Sequence, residues 1–225
     1  MSTDTAIAPT AAADWLRITE VFLSLQGEST SVGLPTVFVR LTGCPLRCGY
    51  CDSAYAFHGG RRVEIADLVA EVAGYGVQHV TVSGGEPLAQ KRCLDLLTRL
   101  CDLGLSVSLE TSGALDVGAV DARVIKVIDI KTPGSGESAR NHWENLQHLG
   151  SGDQLKFVLC DRADYDWANQ VLRERNLPEL AEVLYSPSWG QLDPTDLANW
   201  IVEDRLPVRF QVQLHKLLWG DVPGR

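Results

Sequence analysis

His79-Val80-Thr81-Val82-Ser83-Gly84-Gly85-Glu86-Pro87-Leu88, continued by Leu94, Leu97 and Leu100, is the passage that decides the fold. Residues 79–83 are short and β-branched, which predicts a strand. Two glycines then punctuate the chain. Pro87 suits a first helical position, where its missing N–H costs nothing. The leucines lie on one face of a helix predicted over 87–103. Strand, glycine turn and helix make one half of a right-handed βαβ crossover.

The same alternation extends to both sides. Residues 18–25 and 36–41 read as strands rich in Val, Phe and Leu. Ile65, Leu68, Val69 and Val72 repeat at helical spacing, and Gly74 and Gly76 close that helix. Further strands are predicted at 106–110, 124–130, 155–159, 182–186 and 208–214. Helices are predicted near 140–149 and over 163–175 and 194–202. Strands separated by helices imply a parallel sheet. About six such units fall short of the eight of a closed barrel. The expected fold is therefore α/β, an open partial barrel of (βα)6 type with parallel strands. It is expected to form one domain over 15–225, without linker or repeat, preceded by a disordered tail over 1–14.

Composition sets the frame. The chain has 225 residues, 45% hydrophobic and 22% charged, which is ordinary for a globular domain. A formal charge of −9 argues against broad nucleic-acid binding, which rests on neutralising phosphates with Lys and Arg. No apolar run is long enough to span a membrane. The small polar start does not read as a secretory signal, so a cytoplasmic location is expected. In that setting six cysteines argue against a disulfide framework. Cys93, Cys101 and Cys160 are scattered on predicted helix and strand positions and read as buried free thiols.

The other three cysteines are gathered. Gly43-Cys44-Pro45-Leu46-Arg47-Cys48-Gly49-Tyr50-Cys51-Asp52 has the spacing C-x3-C-x2-C. Three thiolates on one loop can hold three corners of a 4Fe-4S cluster and leave one iron open to substrate or cofactor. The competing reading is a zinc site with His58 as fourth ligand, although structural zinc usually draws on two paired knuckles. The motif-bearing segments fall at predicted strand ends, where parallel α/β sheets collect their chemistry. They are Cys44 onward, Ser83 to Pro87, Glu110-Thr111-Ser112-Gly113, and Asp129-Ile130-Lys131-Thr132-Pro133-Gly134. Gln154-Leu155-Lys156-Phe157 lies on the next strand.

The cysteine spacing is the signature of radical S-adenosylmethionine enzymes, and the chain resembles that superfamily. The resemblance implies that the open iron takes the amino and carboxylate groups of S-adenosylmethionine, and that one electron then releases a 5′-deoxyadenosyl radical. Gly84-Gly85-Glu86-Pro87 is similar to the superfamily's second shared element, which binds the methionine end. Without the resemblance it would read as a strand-to-helix turn. Leu25-Gln26-Gly27-Glu28, upstream of Val37 to Cys44, narrows the resemblance to the 7-carboxy-7-deazaguanine synthases, over about residues 18–219. Cys51-Asp52-Ser53, Lys131 to Gly136, Gln154 to Phe157 and Gln211-Val212-Gln213-Leu214-His215-Lys216 belong to it. The family's usual Gln-Gly-Glu-Gly reads Gln-Gly-Glu-Ser here, with Ser29 last.

That resemblance implies a lyase of queuosine (7-deazapurine) biosynthesis. It converts 6-carboxy-5,6,7,8-tetrahydropterin to 7-carboxy-7-deazaguanine and ammonia by ring contraction. It also implies a homodimer reduced by a donor such as flavodoxin or ferredoxin. The cluster ligands implied are Cys44, Cys48 and Cys51. For S-adenosylmethionine they are Tyr50, Asp52, Gly85, Glu86, Glu110, Ser112, Asp129, Ile130, Lys131, Gln154 and Lys156. For substrate they are Leu25, Gln26, Gly27, Arg40 and Ser83. Ser53 is implied as the protein's contact to a magnesium ion (Mg2+) shared with substrate, and its alternative is a turn cap.

The chemistry of these side chains agrees. The amide of Gln26 suits the amide-and-amine edge of a pterin. The fork of Arg40 suits its carboxylate, with a surface salt bridge as the alternative. Ser83 either donates to the pterin or merely ends its strand. Lys131 and Lys156 stand at otherwise apolar strand positions, where an unpaired lysine is expensive. His215 and Lys216 either close the site or are solvated. Two rival functions have their own support: a glycyl-radical activating enzyme acting on a protein, and a non-catalytic Cys3His zinc-binding interaction module.

Overall fold

A computed structural model describes residues 14–220, 222 and 224. The tail expected over 1–14 lies outside the described residues apart from Asp14. That residue is tied down: its carboxylate accepts from Arg92 and Arg99, and its carbonyl accepts from the Ile65 N–H at 2.9 Å.

Among the described residues, nine strands form one open sheet. They are β1 (Trp15–Leu25), β2 (Pro35–Leu41), β3 (Arg61–Glu64), β4 (His79–Gly84), β5 (Ser106–Thr111), β6 (Ile125–Asp129), β7 (Gln154–Leu159), β8 (Glu182–Pro187) and β9 (Arg209–Phe210). Their order is β3-β1-β2-β4-β5-β6-β7-β8-β9. Every pair from β2 to β9 is parallel. The expected open, mostly parallel α/β architecture is therefore present.

Helices α1 (Ile65–Gly74), α2 (Cys93–Asp102), α3 (Arg162–Glu174) and α4 (Pro194–Asp204) cover the outer face, and α5 (Leu214–Trp219) ends the described chain. One apolar cluster joins α1 and α2 to β1, β2, β4 and β5 through residues such as Leu68, Leu97, Val39, Val82 and Leu109. A second joins α3 and α4 to β6, β7 and β8 through Ile128, Phe157, Tyr165, Tyr185 and Leu197. Each such side chain contributes about 1.5–3 kcal/mol by leaving water. From β4 to β7 the strands alternate. Val80, Val82, Val107, Leu109, Leu155 and Phe157 face the helices, while Ser83, Glu110, Asp129 and Lys156 line a cavity on the inner face.

Four expectations need correction. β1 pairs antiparallel with β2 and β3, because residues 26–34 are too few for a parallel crossover, which takes a dozen or more. The four-residue β3 carries too little apolar pattern to be read in advance. The helix expected over 87–103 begins only at Cys93, and its buried face is Cys93, Leu96, Leu97 and Leu100 rather than Leu94. Before it, the Gln90 side chain is bound to Arg17 and Thr42 main-chain groups. The helix expected near 140–149 is two 3-10 segments, Ser138–Arg140 and Trp143–His148. The last strand shrinks to β9, because the Gln211 side chain turns to the Ser29 main chain. Among the described residues no helix is long and apolar enough to cross a membrane.

Candidate active site

The cysteine loop is held by its neighbours' backbones. After β2, the Gly43 N–H donates to the Ala56 carbonyl at 2.8 Å, and the Gly43 carbonyl accepts from the Glu86 N–H at 2.8 Å. The Gly85 N–H donates to the Leu41 carbonyl at 3.1 Å. A Cβ on Gly85 would lie 2.3 Å from the Gly43 oxygen, so only glycine lets the two turns meet. Farther along, the Gly49 N–H donates to the Ser135 carbonyl at 3.0 Å.

Cys44, Cys48 and Cys51 all line one cavity of about 440 Å³ at the C-terminal ends of the strands. Burial raises the Cys44 thiol and pushes the Cys48 thiol up to about 11. Such thiols are protonated at neutral pH, and loading a metal on them would release those protons. His58 is exposed and does not line the cavity. Among the described residues no three His, Cys, Asp or Glu side chains converge as for a single ion. His58, the fourth ligand of the Cys3His zinc reading, is thus outside the cavity that the three cysteines line.

Glu86 ties the two glycine-bearing strand ends together. It is fully buried and accepts from the Leu88 N–H, from Thr111 Oγ1 at 2.9 Å, from the Ser112 N–H at 2.7 Å and from Ser112 Oγ at 2.5 Å. These bonds place Thr111 and Ser112 on the cavity wall, while Glu86 stands behind it.

The cavity floor is a network of buried charges. Lys156 Nζ lies 2.5 Å from Glu28 Oε2, and Lys131 Nζ lies 2.7 Å from Asp129 Oδ2. Gln26 Nε2 donates to Thr81 Oγ1 at 3.0 Å and to Glu110 Oε1 at 3.3 Å, and Ser83 Oγ donates to Glu110 Oε2 at 3.1 Å. Burial would raise the Glu28 carboxyl, but Lys156 and Gln213 bring it down to about 2. Glu110 is raised by burial, with Lys156 opposing. Burial works against the charge of both lysines, yet Asp129 keeps Lys131 raised and Glu28 keeps Lys156 raised. The Tyr50 hydroxyl and Asp129 Oδ1 line this cavity buried and without a hydrogen-bond partner. Native proteins rarely leave such groups unpaired unless a ligand meets them.

The rim joins distant segments. Arg40 Nε bonds Glu20 Oε1 at 2.7 Å while the residue lines the cavity, so the salt bridge and the site position coexist. Ser53 stands before the short turn Ala54–Phe57, and its side chain makes no capping bond. The turn-cap alternative is thus not realised; Ser53 lines the cavity, with its Oγ 4.0 Å from Cys51 Sγ. Gln213 Nε2 donates to Glu28 Oε1 at 2.8 Å and Lys216 Nζ lies 3.6 Å from Asp52 Oδ2. The Leu214 N–H donates to the Gly27 carbonyl at 2.9 Å, and a Cβ on Gly27 would strike the His215 ring. His215 and Lys216 therefore line the cavity and are not a solvated tail.

Of the residues singled out in the sequence, Leu25, Gln26, Gly27, Arg40, Tyr50, Asp52, Ser53, Ser83, Gly85, Glu110, Ser112, Asp129, Lys131 and Lys156 share the cavity wall with the three cysteines. Three do not. Glu86 is spent on internal bonds. Ile130 is packed in the second apolar cluster. Gln154 faces the opposite end of the sheet, where its amide bonds Thr30 at 2.9 and 2.7 Å. Glu28 and Gln213 were not singled out. Their signal was polar residues inside segments already marked as motifs.

Comparison with known proteins accords with this geometry. Residues 38–129 match the model of the radical SAM superfamily. A 7-carboxy-7-deazaguanine synthase of Koribacter versatilis is 42% identical over 221 residues, spanning 91% of this chain and 97% of its own. One from Hyperthermus butylicus is 44% identical over 219 residues, spanning 90% and 92%. The crystal structure of QueE from Escherichia coli shares the fold with a TM-score of 0.74 at 22% identity, covering 89% of this chain and 95% of that one. With these matches spanning almost the whole of both chains, the chain belongs to the 7-carboxy-7-deazaguanine synthase family of radical S-adenosylmethionine proteins.

Proposed function

We propose that this chain converts 6-carboxy-5,6,7,8-tetrahydropterin to 7-carboxy-7-deazaguanine and ammonia. The observation that carries the reading is one cavity that joins three cysteines of a C-x3-C-x2-C loop to a buried Gln26–Glu110–Ser83 network and to Arg40. The relatives carry the name of that activity.

The residues fit the groups the family implies. Cys44, Cys48 and Cys51, which share the cavity wall, would hold the 4Fe-4S cluster. Gly85, Ser112, Tyr50, Asp129 and Lys131 would meet S-adenosylmethionine, and the orphaned Tyr50 hydroxyl is a ready donor and Asp129 Oδ1 a ready acceptor for it. A cavity of about 440 Å³ is in the range that takes cofactor-sized ligands. When bound, these groups supply the hydrogen-abstracting radical chemistry.

The chain's own contribution is placement and exclusion. Gln26 and Ser83 line the pterin's side of the cavity and both donate to Glu110, fixing its carboxylate there. Arg40 takes the C6 carboxylate as a fork. Gln213, His215 and Lys216 cover the opening and keep quenching groups from the reacting carbon. Ser53 would contribute its hydroxyl to a magnesium ion, which keeps waters and takes few protein ligands and would supply Lewis-acid chemistry at the substrate. The same reading carries a cytoplasmic homodimer reduced by a flavodoxin or ferredoxin.

Anaerobic incubation with dithionite, S-adenosylmethionine and the carboxytetrahydropterin, followed by chromatography for 7-carboxy-7-deazaguanine, tests the activity. Alanine at Cys44, Cys48 or Cys51 is expected to abolish iron and sulfide content, whereas alanine at Cys93, Cys101 or Cys160 leaves it intact. Turnover of chelator-treated enzyme should rise on adding magnesium, and Ser53→Ala should blunt that rise without loss of the cluster. An enzyme indifferent to magnesium removes that part of the reading.

A further inference from the structure

We propose that Glu20 is a positioning residue: through one carboxylate oxygen it sets the plane of the Arg40 guanidinium and couples it, by way of Tyr55, to the segment that follows the third cysteine. The inference rests on the reading of Arg40 as the fork for the substrate carboxylate.

The device begins in β1. Leu16 and Ile18 point into the apolar core. Strict alternation would send Glu20 there too, an expensive place for a carboxylate. Instead the β1–β2 register shifts between Ile18 and Glu20. Beyond the shift Val21 takes the core side, while Phe22 lines the cavity. Irregularities of this kind re-aim side chains beside functional sites. Here the re-aimed residue is Glu20, directly opposite Arg40.

Glu20 Oε1 accepts two bonds of 2.7 Å, one from Arg40 Nε and one from the Tyr55 hydroxyl. Because the first is made by Nε, it grips the guanidinium by its side rather than by its two terminal nitrogens. Those terminal nitrogens are the ones that match a carboxylate bidentately. The Phe22 and Tyr55 rings frame the same guanidinium, with centroids at 6.0 and 5.9 Å. Glu20 does not itself line the cavity, so its negative charge stays behind Arg40 and away from an anionic substrate. Tyr55 lies two residues beyond Ser53, in the turn Ala54–Phe57. Arg40 and the cysteine loop are thereby referred to one carboxylate.

The test uses full-length, cluster-reconstituted Glu20→Gln, Tyr55→Phe and Arg40→Lys proteins. Anaerobic calorimetry measures binding of 6-carboxy-5,6,7,8-tetrahydropterin and of tetrahydropterin lacking the carboxylate, and binding of S-adenosylmethionine and the cluster's electron paramagnetic resonance are recorded alongside. Glu20→Gln is expected to weaken the carboxylated pterin about tenfold, the scale of one charged hydrogen bond. It should leave the decarboxylated pterin, S-adenosylmethionine and the spectrum as in wild type. Tyr55→Phe, which keeps the ring and removes one donor, should weaken the carboxylated pterin by roughly threefold. If Glu20→Gln does not fold, Tyr55→Phe carries the test alone. Arg40→Lys weak and Glu20→Gln normal would overturn the positioning role and leave the Arg40 reading standing. Equal losses for both pterins would overturn it as well. An Arg40→Lys protein of normal affinity would instead overturn the carboxylate reading beneath it.

Discussion

Two buried lysines on adjacent strands, one at each end of the sheet, do different work. Lys126, at the start of β6, pairs with Asp153 at 2.7 Å, and the two side chains are 6% and 2% exposed. Asp153 also accepts from the Lys126 and Gly150 N–H groups, each at 2.7 Å. That site is closed and its acceptor well supplied. Lys156, on β7, pairs with Glu28 but faces a cavity where Glu110 and Asp129 add charge, and where Asp129 Oδ1 and Tyr50 lack partners. Burial of a lysine therefore does not mark function. An unfinished set of polar partners around a void does.

Substitution should separate the two most sharply. Lys126→Met leaves Asp153 buried without its cation and is expected to cost about 3–5 kcal/mol of stability, read by denaturant unfolding, with turnover per folded molecule kept. Lys156→Met is expected to lower turnover at least about 100-fold, roughly 3 kcal/mol in barrier. Its stability loss should be smaller than that of Lys126→Met, because cavity solvent reaches the stranded carboxylates. Equal stability losses with equal turnover would break the distinction.

Acid sharpens it next. The Glu28 carboxyl is held down at about 2, below its ordinary 4.5. A depressed folded value contributes stability that is present above the ordinary value and lost as pH falls toward the folded one. The cavity end should therefore lose on the order of 2–3 kcal/mol between pH 4.5 and 2. Glu110, raised by burial, works in the opposite sense, chiefly above pH 4.5 and so largely outside that range. A Glu28→Gln protein should lack the acid-dependent component when unfolding is followed across that range.

The smallest effect expected lies in the loop that joins the two ends. Gln26 and Glu28 belong to the main cavity, while Ser29, Thr30 and Gln154 line a cavity of about 90 Å³ beside the first residues of β4 to β7. Ser29 makes the passage with φ of 64°, a left-handed conformation that costs a non-glycine residue about 1 kcal/mol. The family's glycine at this position is thereby explained. Ser29 is held there by its N–H donating to Gln211 Oε1 at 2.9 Å and its Oγ bonding Ser31 Oγ at 2.8 Å. Ser29→Gly should raise stability by up to about 1 kcal/mol in thermal unfolding. A loss instead would show that the Ser31 bond outweighs the strain.

Much of the site was legible because its residues cluster in motifs. The cysteine triplet, Gly84-Gly85 and Gln26 announce themselves by spacing or by residue type. What escaped did so for physical reasons. Glu86 and Gln154 sit in motifs that read as ligand-binding, but hydrogen bonds to Thr111, Ser112 and Thr30 satisfy them inside the fold. Glu20 was not singled out, since a register shift leaves no mark in residue type.

Local chemistry along the chain settled the element types and the strand-end location of the motifs. Alternation of apolar side chains selects strand faces, and glycine turns mark where strands stop. The three cysteines could likewise be assigned to one loop from spacing alone. Only the tertiary structure decided that β1 runs antiparallel, that the C-terminal Gln213 and Lys216 return to Glu28 and Asp52, and which buried charges are finished pairs. Those outcomes depend on contacts between residues far apart in the chain, such as Gln213 and Glu28, which no local pattern encodes.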